Sequence, residues 1–385
     1  MQSLLSSLFP FLTRPLFPEF CMSLRIGRIL RSNDLAQEFR EKELSRRRFI
    51  AGAAKAGAGL GVVGGLGACD EGPREEEEEI RNYLVGMATG DQYTATLRAA
   101  LDETVGRNQL EFIESGDTVY LKINSNSGDY YPYSTRPKMV ERVTEWCLEH
   151  GAGRVIVGDR SFWGDSGTLS NLTANGMVEA AENSGAELLV FDDEVEWVEF
   201  SQSDAPDWNG GFRFPREVVQ ADHIINLPIV KTHFISTFTM GMKNIIGLVN
   251  ADDRRRDGNL DVHVTSGNKL YRQIAQLNQQ ITPSLTILDG WEAVIAGGPT
   301  ITSDSDEGEP KLIIASTDRI AADVTGLAIL KRWAADNEEV HDTDVWDNPQ
   351  IAEAVAAGLG ITGPDEYELS APSVEDMQDY LDLIV

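Results

Sequence analysis

The densest run of residues able to do chemistry is Asn226-Leu227-Pro228-Ile229-Val230-Lys231-Thr232-His233, followed by Lys243-Asn244-Ile245-Ile246-Gly247. An imidazole titrates nearest to neutrality and can carry a proton or bind a metal. A lysine ammonium is a compact charge suited to an anionic substrate. A histidine alone in a loop is more often structural. Two lysines close to this one, in a very acidic chain, tilt the reading toward function. His233, Lys231 and Asp159 form the candidate catalytic set. Lys122, Asn124, Asn226, Lys243 and Asn244 are candidate substrate-binding residues. Asp289, Asp323 and His263 are candidate ligands for a divalent ion, because carboxylates and an imidazole suit a hard or borderline metal. No spacing identifies the metal, so cofactor identity stays open.

These residues need a scaffold that brings distant segments together. Thr118 to Ile123, Arg154 to Val157 and Glu187 to Phe191 read as strands. Helical patterns lie between them, over Pro137 to His150 and Asn171 to Ser184. Each strand is apolar on both sides, the mark of a parallel sheet covered by helices. Asp192 to Phe214 reads as an excursion at the sheet edge. Asp222 to Leu227, Thr286 to Leu288 and Leu312 to Ala315 are further strands, and a helix is expected around Phe238 to Gly247. Other helices are expected over Lys269 to Gln280, Arg319 to Trp333, Pro349 to Ala357 and Val374 to Ile384. The fold class is α/β, a doubly wound, mostly parallel sheet with helices on both faces and an edge excursion. In such sheets ligands bind beyond the carboxyl ends of the strands. Lys122-Ile123-Asn124, Gly158-Asp159-Arg160, Asn226-Leu227-Pro228 and Asp289-Gly290 all stand at such ends. One Asp or Asn there is ordinary turn chemistry, but four converging ends point to a shared site.

Ser316-Thr317-Asp318-Arg319-Ile320-Ala321-Ala322-Asp323 follows a strand and opens a helix. An N-cap accounts for Ser316 or Asp318 and leaves Asp323 inside the helix. No GxGxxG follows the first strand, and the Walker, GxSxG and HExxH patterns are missing, so the usual nucleotide sites are not supported.

The chain has 385 residues and a formal charge of −29, although residues 1–68 hold ten Lys/Arg against five Asp/Glu. So acidic a body argues against a nucleic-acid partner and for a solvated, repulsive surface. The basic leader contains Arg46-Arg47-Arg48-Phe49, a weakly apolar Gly/Ala run, and Leu66-Gly67-Ala68-Cys69. That order matches a twin-arginine export signal, with Arg46 and Arg47 as the pair, ending in a lipid-attachment cysteine. Residues 1–69 are then the signal, with Met22 as an alternative start. Residues 70–81 are an acidic tether, and residues 82–385 are the folded body. Expected partners are the twin-arginine translocase, lipoprotein-processing enzymes and the membrane that holds the lipid. The expected location is the cell envelope or periplasm. Of the three cysteines, only Cys147 would remain as a thiol. That leaves no disulfide and no cysteine-ligated zinc or iron–sulfur cluster.

Taken together, the Lys122-Ile123-Asn124, Gly158-Asp159, Asn226 to His233, Lys243 to Gly247, Asp289-Gly290, Gly297-Gly298-Pro299 and Ser316 to Asp323 segments have a recognisable order and spacing. From about Tyr83 to Gly360 the chain resembles the bacterial and archaeal family of domain of unknown function 362. The resemblance implies redox work in those members that look to carry a ferredoxin-type iron–sulfur module. This chain lacks that cysteine set, so electrons would have to come from a bound cofactor or a redox partner. The leading expectation is an enzyme for a small anionic substrate, with a metal or redox cofactor. The alternative is a non-catalytic cell-envelope binding or assembly factor.

Overall fold

The alternation along Thr118 to Ile123 explains how a polar site is built into an apolar sheet. Val119, Leu121 and Ile123 join one buried cluster, with Val140, Val143 and Leu172 from helices on that face. Tyr120 points the other way, into a cluster with Ile274 and Leu327. Lys122 follows Tyr120 at the two-residue period of a strand, so its ammonium lands on a core face, fully buried.

The computed structural model describes residues 85–385 except 109–110, 162–166, 192–194, 261–267, 334 and 336–337. The twin-arginine segment with Arg46 and Arg47, Cys69, the acidic tether and His263 lie outside the described residues.

The strands in chain order are β1 (Val85–Thr89), β2 (Thr118–Ile123), β3 (Arg154–Asp159), β4 (Glu187–Val190), β5 (Trp197–Phe200), β6 (Phe212–Pro215) and β7 (His223–Leu227). They continue as β8 (Ile229–His233), β9 (Thr237–Thr239), β10 (Leu285–Ala296), β11 (Asp306–Gly308), β12 (Leu312–Ser316) and β13 (Leu369–Ser370). The main sheet runs β13-β1-β12-β10-β7-β2-β3-β4. The β10-β7, β7-β2, β2-β3 and β3-β4 pairs are parallel, whereas β12 is antiparallel to both neighbours. The expected α/β class with a mostly parallel sheet is therefore observed, with helices against both faces.

Chain order reverses at β2: β3 and β4 extend to one side and β7 to the other. The carboxyl ends of β2 and β7 thus form a topological switch point, where two connections leave in opposite directions and open a crevice. Beyond Leu227 the chain passes Pro228 and continues as β8, paired with β10 at Asp289↔Ile229 and Val294↔Lys231. This extension carries Lys231 and His233 over the switch point.

Three expectations are corrected. The helix expected around Phe238 to Gly247 begins as β9, antiparallel to β8. It then makes one helical turn, Gly241–Asn244, and a 3-10 turn, Ile245–Leu248. The cause is long-range: the Asp323 carboxylate accepts from Gly241 N (2.6 Å) and Met242 N (3.0 Å), and Asn226 Nδ2 donates to Gly241 O (2.8 Å). These groups cap a fresh turn at Gly241 and set Lys243 and Asn244 at its end. Second, the helix expected over Asn171 to Ser184 is two, Thr168–Ala174 and Met177–Ser184, split at Gly176 with φ 82°. Third, the strand expected over Thr286 to Leu288 runs from Leu285 to Ala296, so Asp289 lies inside it. The expected edge excursion is observed as an antiparallel hairpin forming a separate two-stranded sheet, β5-β6. Its Phe200, Phe212 and Phe214 rings pack on one another and on Trp208.

Candidate functional site

The carboxyl ends of β2 and β3 meet in a buried ion pair. Lys122 Nζ donates to Asp159 Oδ1 (2.8 Å), and neither side chain is more than 4 % exposed. Lys122 also donates to the Ile123 carbonyl and, at 3.3 Å, to Asn244 Oδ1. Asp159 accepts in addition from Ser125 N (2.7 Å) and Arg160 N (2.8 Å). Isolated charges at this depth would each cost several kcal/mol, so close pairing and complete hydrogen bonding are what permit them. Burial pulls the Lys122 ammonium down, while Asp159 pulls it back toward the charged form.

From that pair a chain of amides spreads across the strand ends. Asn244 Oδ1 accepts from Asn124 Nδ2 (3.0 Å), and Asn244 Nδ2 donates to Asn226 Oδ1 (2.8 Å). Asn124 Oδ1 in turn accepts from Lys231 Nζ (2.8 Å). Gly247 closes over the ion pair so tightly that a Cβ there would lie 2.0 Å from Asp159 Oδ1 and 2.7 Å from Lys122 Nζ. Only glycine fits.

Above this floor opens a cleft of about 780 Å³, part of it open to solvent, with Asn124, Asp159, Lys231, His233, Lys243 and Asn244 in its lining. Arg160 and Arg254 line it as well. The cleft thus gathers basic side chains, inside a chain whose formal charge is −29. The one lining carboxylate among the described residues, Asp159, is already held by Lys122.

The three central cations and the imidazole differ in what they offer. Lys231 Nζ donates to Asn124 Oδ1, to the Tyr133 carbonyl (2.6 Å) and to the Pro299 carbonyl (3.3 Å), which occupies all three N–H of an ammonium. Burial brings its pKa down to about 7, with Asp129 and Asp159 pulling the other way. Lys243 is half-buried, and its one described hydrogen bond goes to Thr239 Oγ1 at 3.3 Å. Burial, reinforced by the Lys231 charge, holds Lys243 well below the usual lysine range. Burial likewise lowers Arg254 to about 9.

His233 is oriented by backbone. Its Nδ1 faces Ile235 N (3.1 Å) and Ser236 N (3.4 Å), both of which donate to it. Burial, then the Lys243 and Lys231 charges, hold this imidazole well below its ordinary value, so it is neutral near pH 7. The proton of the neutral ring therefore sits on Nε2, which has no protein partner among the described residues. His233 thus presents an N–H to the cleft, and Lys243 is disposed toward its uncharged amine.

Several expected site residues play other roles. Lys122 and Asn226 lie beneath the cleft as supports, fully saturated, and do not line it. Asp323 spends both oxygens on the Gly241 and Met242 amides. Asp289 accepts from Tyr93 Oη (2.7 Å), Tyr131 Oη (2.9 Å) and Trp291 N (2.9 Å), and is absent from the cleft lining. The Arg136 guanidinium lies over the Tyr93 and Tyr131 rings, 4.5 and 3.7 Å from their centroids, completing a satisfied cluster. Asp289 and Asp323 are therefore structural acceptors in separate places and do not form a metal-ligand pair. Among the described residues no group of three or more His, Cys, Asp or Glu side chains is arranged to hold a metal ion. Three cysteines in the whole chain cannot ligate a ferredoxin-type cluster, and Cys147 is buried.

The sequence reading missed Arg254, Arg160, Phe234 and the wall beyond them. Arg254 sits in an Asp252-Asp253-Arg254-Arg255-Arg256 run that looks like a solvated charge cluster. Nothing in its local pattern marks the one arginine that turns inward.

Comparisons with known proteins fit this geometry. The model of the family described as domain of unknown function (DUF362) matches residues 119–328, the span that supplies most of the cleft. The thylakoid-associated protein sll1697 of Synechocystis sp. is 32% identical over 248 residues, which cover 62% of this chain and 70% of that protein. A solved lactate racemase apoprotein from Thermoanaerobacterium thermosaccharolyticum aligns with a TM-score of 0.36 and 12% identity. That alignment covers 64% of this chain and 56% of the racemase chain.

The ion pair is testable by unfolding. Lys122→Met strands the Asp159 carboxylate in the core and is expected to cost about 3–5 kcal/mol, read as a lower urea midpoint. Removing both charges with Lys122→Met/Asp159→Leu is expected to cost clearly less than the two single changes added together. Strict additivity in that cycle would mean the pair does not interact.

Proposed function

Since the chain belongs to the DUF362 family, we propose that its strand-end cleft is the site of an enzyme that binds a small anionic substrate and moves a proton on it. The observation that carries this reading is the make-up of the lining: the basic residues Lys231, His233, Lys243, Arg254 and Arg160 gather there, and the single lining carboxylate among the described residues is held by Lys122. A surface that repels anions elsewhere would admit one here.

In this reading each side chain has a distinct task. The Lys243 amine takes the proton, and His233 Nε2–H donates to the oxygen on which negative charge develops. The Lys231 ammonium, fixed by its three acceptors, supplies a field that needs no reorganisation. Asp159 acts through Lys122 and is a positioning residue. A metal or redox cofactor, or a redox partner, would act in addition to this set. The non-catalytic binding or assembly factor shares the same ligand and differs only in lacking turnover.

Anion binding should be proton-linked. Burial depresses Lys231 in the empty site, and a bound anion favours its ammonium form, while Lys243 and His233 stay neutral for the proton transfer. Binding then takes up protons, so affinity falls as pH rises. For Lys231 the loss begins near pH 7. Calorimetry with inorganic phosphate, in buffers of different ionisation enthalpy, is expected to show that uptake. Lys243→Ala should weaken binding about ten- to a hundredfold, the worth of a charge-assisted hydrogen bond. Binding that ignores both pH and the Lys243 substitution would contradict the assignment.

The location follows from a different part of the chain. Among the described residues no helix is long and apolar enough to cross a membrane. The relative's thylakoid association supports a membrane-associated protein, and the finer reading is export through Arg46-Arg47 with a lipid on Cys69. Cys69→Ser is expected to move the protein from the membrane fraction to the soluble fraction. Unchanged membrane retention would remove the lipid anchor from the account.

A further inference from the structure

The cleft has a second chemical character that the charge argument leaves unused. Beside its basic residues, the lining includes Phe234, Ile235, Ile246, Leu260 and Leu270. Leu260 and Leu270 are largely buried and reach the cleft only at its apolar wall. Phe234 is 66% exposed, although its ring stacks on His233 with centroids 5.1 Å apart and planes 8° from parallel. A large aromatic held flat against the ligand-facing imidazole, with most of its surface in water, has a face to give to a ligand. Thr237, in the same turn, holds φ 66°. A β-branched residue there is strained, and strain of this kind gathers where a loop shape is needed for a ligand.

A bare inorganic ion would satisfy Lys243 and His233 and leave this wall against water. Extending the ligand with an apolar body would remove the wall and Phe234 from solvent together. We propose that the natural ligand is an amphipathic anion. Its carboxylate or phosphate head lies at Lys243 and His233, and its unbranched apolar body runs along Phe234, Ile235 and Ile246. This rests on the anion-site reading above and narrows its substrate class.

The test uses the full chain and calorimetric titration at fixed pH with two homologous series, n-alkyl carboxylates from acetate to octanoate and monoalkyl phosphates of matching length. Inorganic phosphate is the bare-ion control. The expected result is a gain of about fourfold in affinity per added methylene, the worth of burying one CH2, until the wall is covered. Phe234→Ser, a change at an exposed position that does not threaten folding, should flatten that dependence. Lys243→Ala should lower affinity across both series by a similar factor. The series with the larger gain identifies the head group.

If acetate and octanoate bind equally, and both through Lys243, the anion site stands and the amphipathic ligand is wrong. If neither series nor inorganic phosphate binds, the anion reading fails and takes this inference with it. A chain-length gain that survives Phe234→Ser undiminished places the apolar body elsewhere and also overturns the proposal.

Discussion

Two opposite charges with almost no access to water, on neighbouring parallel strands, constrain everything around them. Lys122 and Asp159 cannot be solvated, so each must be satisfied by the protein. The ammonium takes the carboxylate, the Ile123 carbonyl and the Asn244 side chain. The carboxylate takes the ammonium and two backbone amides. Meeting those demands pulls β2, β3 and the Gly241–Asn244 turn to one point. It also explains why the residue that closes over them, Gly247, can have no side chain.

The amide chain then carries that order to the working residues. Asn244 touches Lys122, Asn124 and Asn226, and Asn124 reaches Lys231, so five polar side chains from four segments are fixed by mutual contact. Lys231 is locked by three acceptors, whereas Lys243 and His233 keep donors for a ligand. In the proposed reading, that division separates a fixed electrostatic field from the groups that exchange protons. Burial, reinforced by nearby lysine charge, holds Lys243 and His233 toward their neutral forms.

Much of this was legible before any coordinates. Strands such as Thr118 to Ile123 declare themselves by being apolar on both faces, and the polar residues at their carboxyl ends mark the rim of a crevice. The convergence of Asp159, Asn124, Lys231, His233, Lys243 and Asn244 followed from that rule. What the sequence hid was depth and direction. Lys122 and Asn226 share the strand-end pattern of true lining residues, yet the two-residue period and the packing above put them below the floor. Asp289 is expected at a strand end but lies inside β10, where it faces Tyr93 and Tyr131 from remote parts of the chain. Arg254 looks like its arginine neighbours, and only tertiary packing turns it inward. Thr237 to Thr239 became a strand because β8 offered an edge and Asp323 capped the next turn, two long-range effects no local pattern records.

The central claim, that the strand-end cleft is an anion site organised by Lys243 and His233, is tested most directly by anomalous diffraction from crystals soaked in selenate. The account predicts a selenium peak within hydrogen-bonding distance of Lys243 Nζ and His233 Nε2, absent from crystals of Lys243→Ala. Selenium on the outer surface alone, with the cleft holding only water, would contradict it.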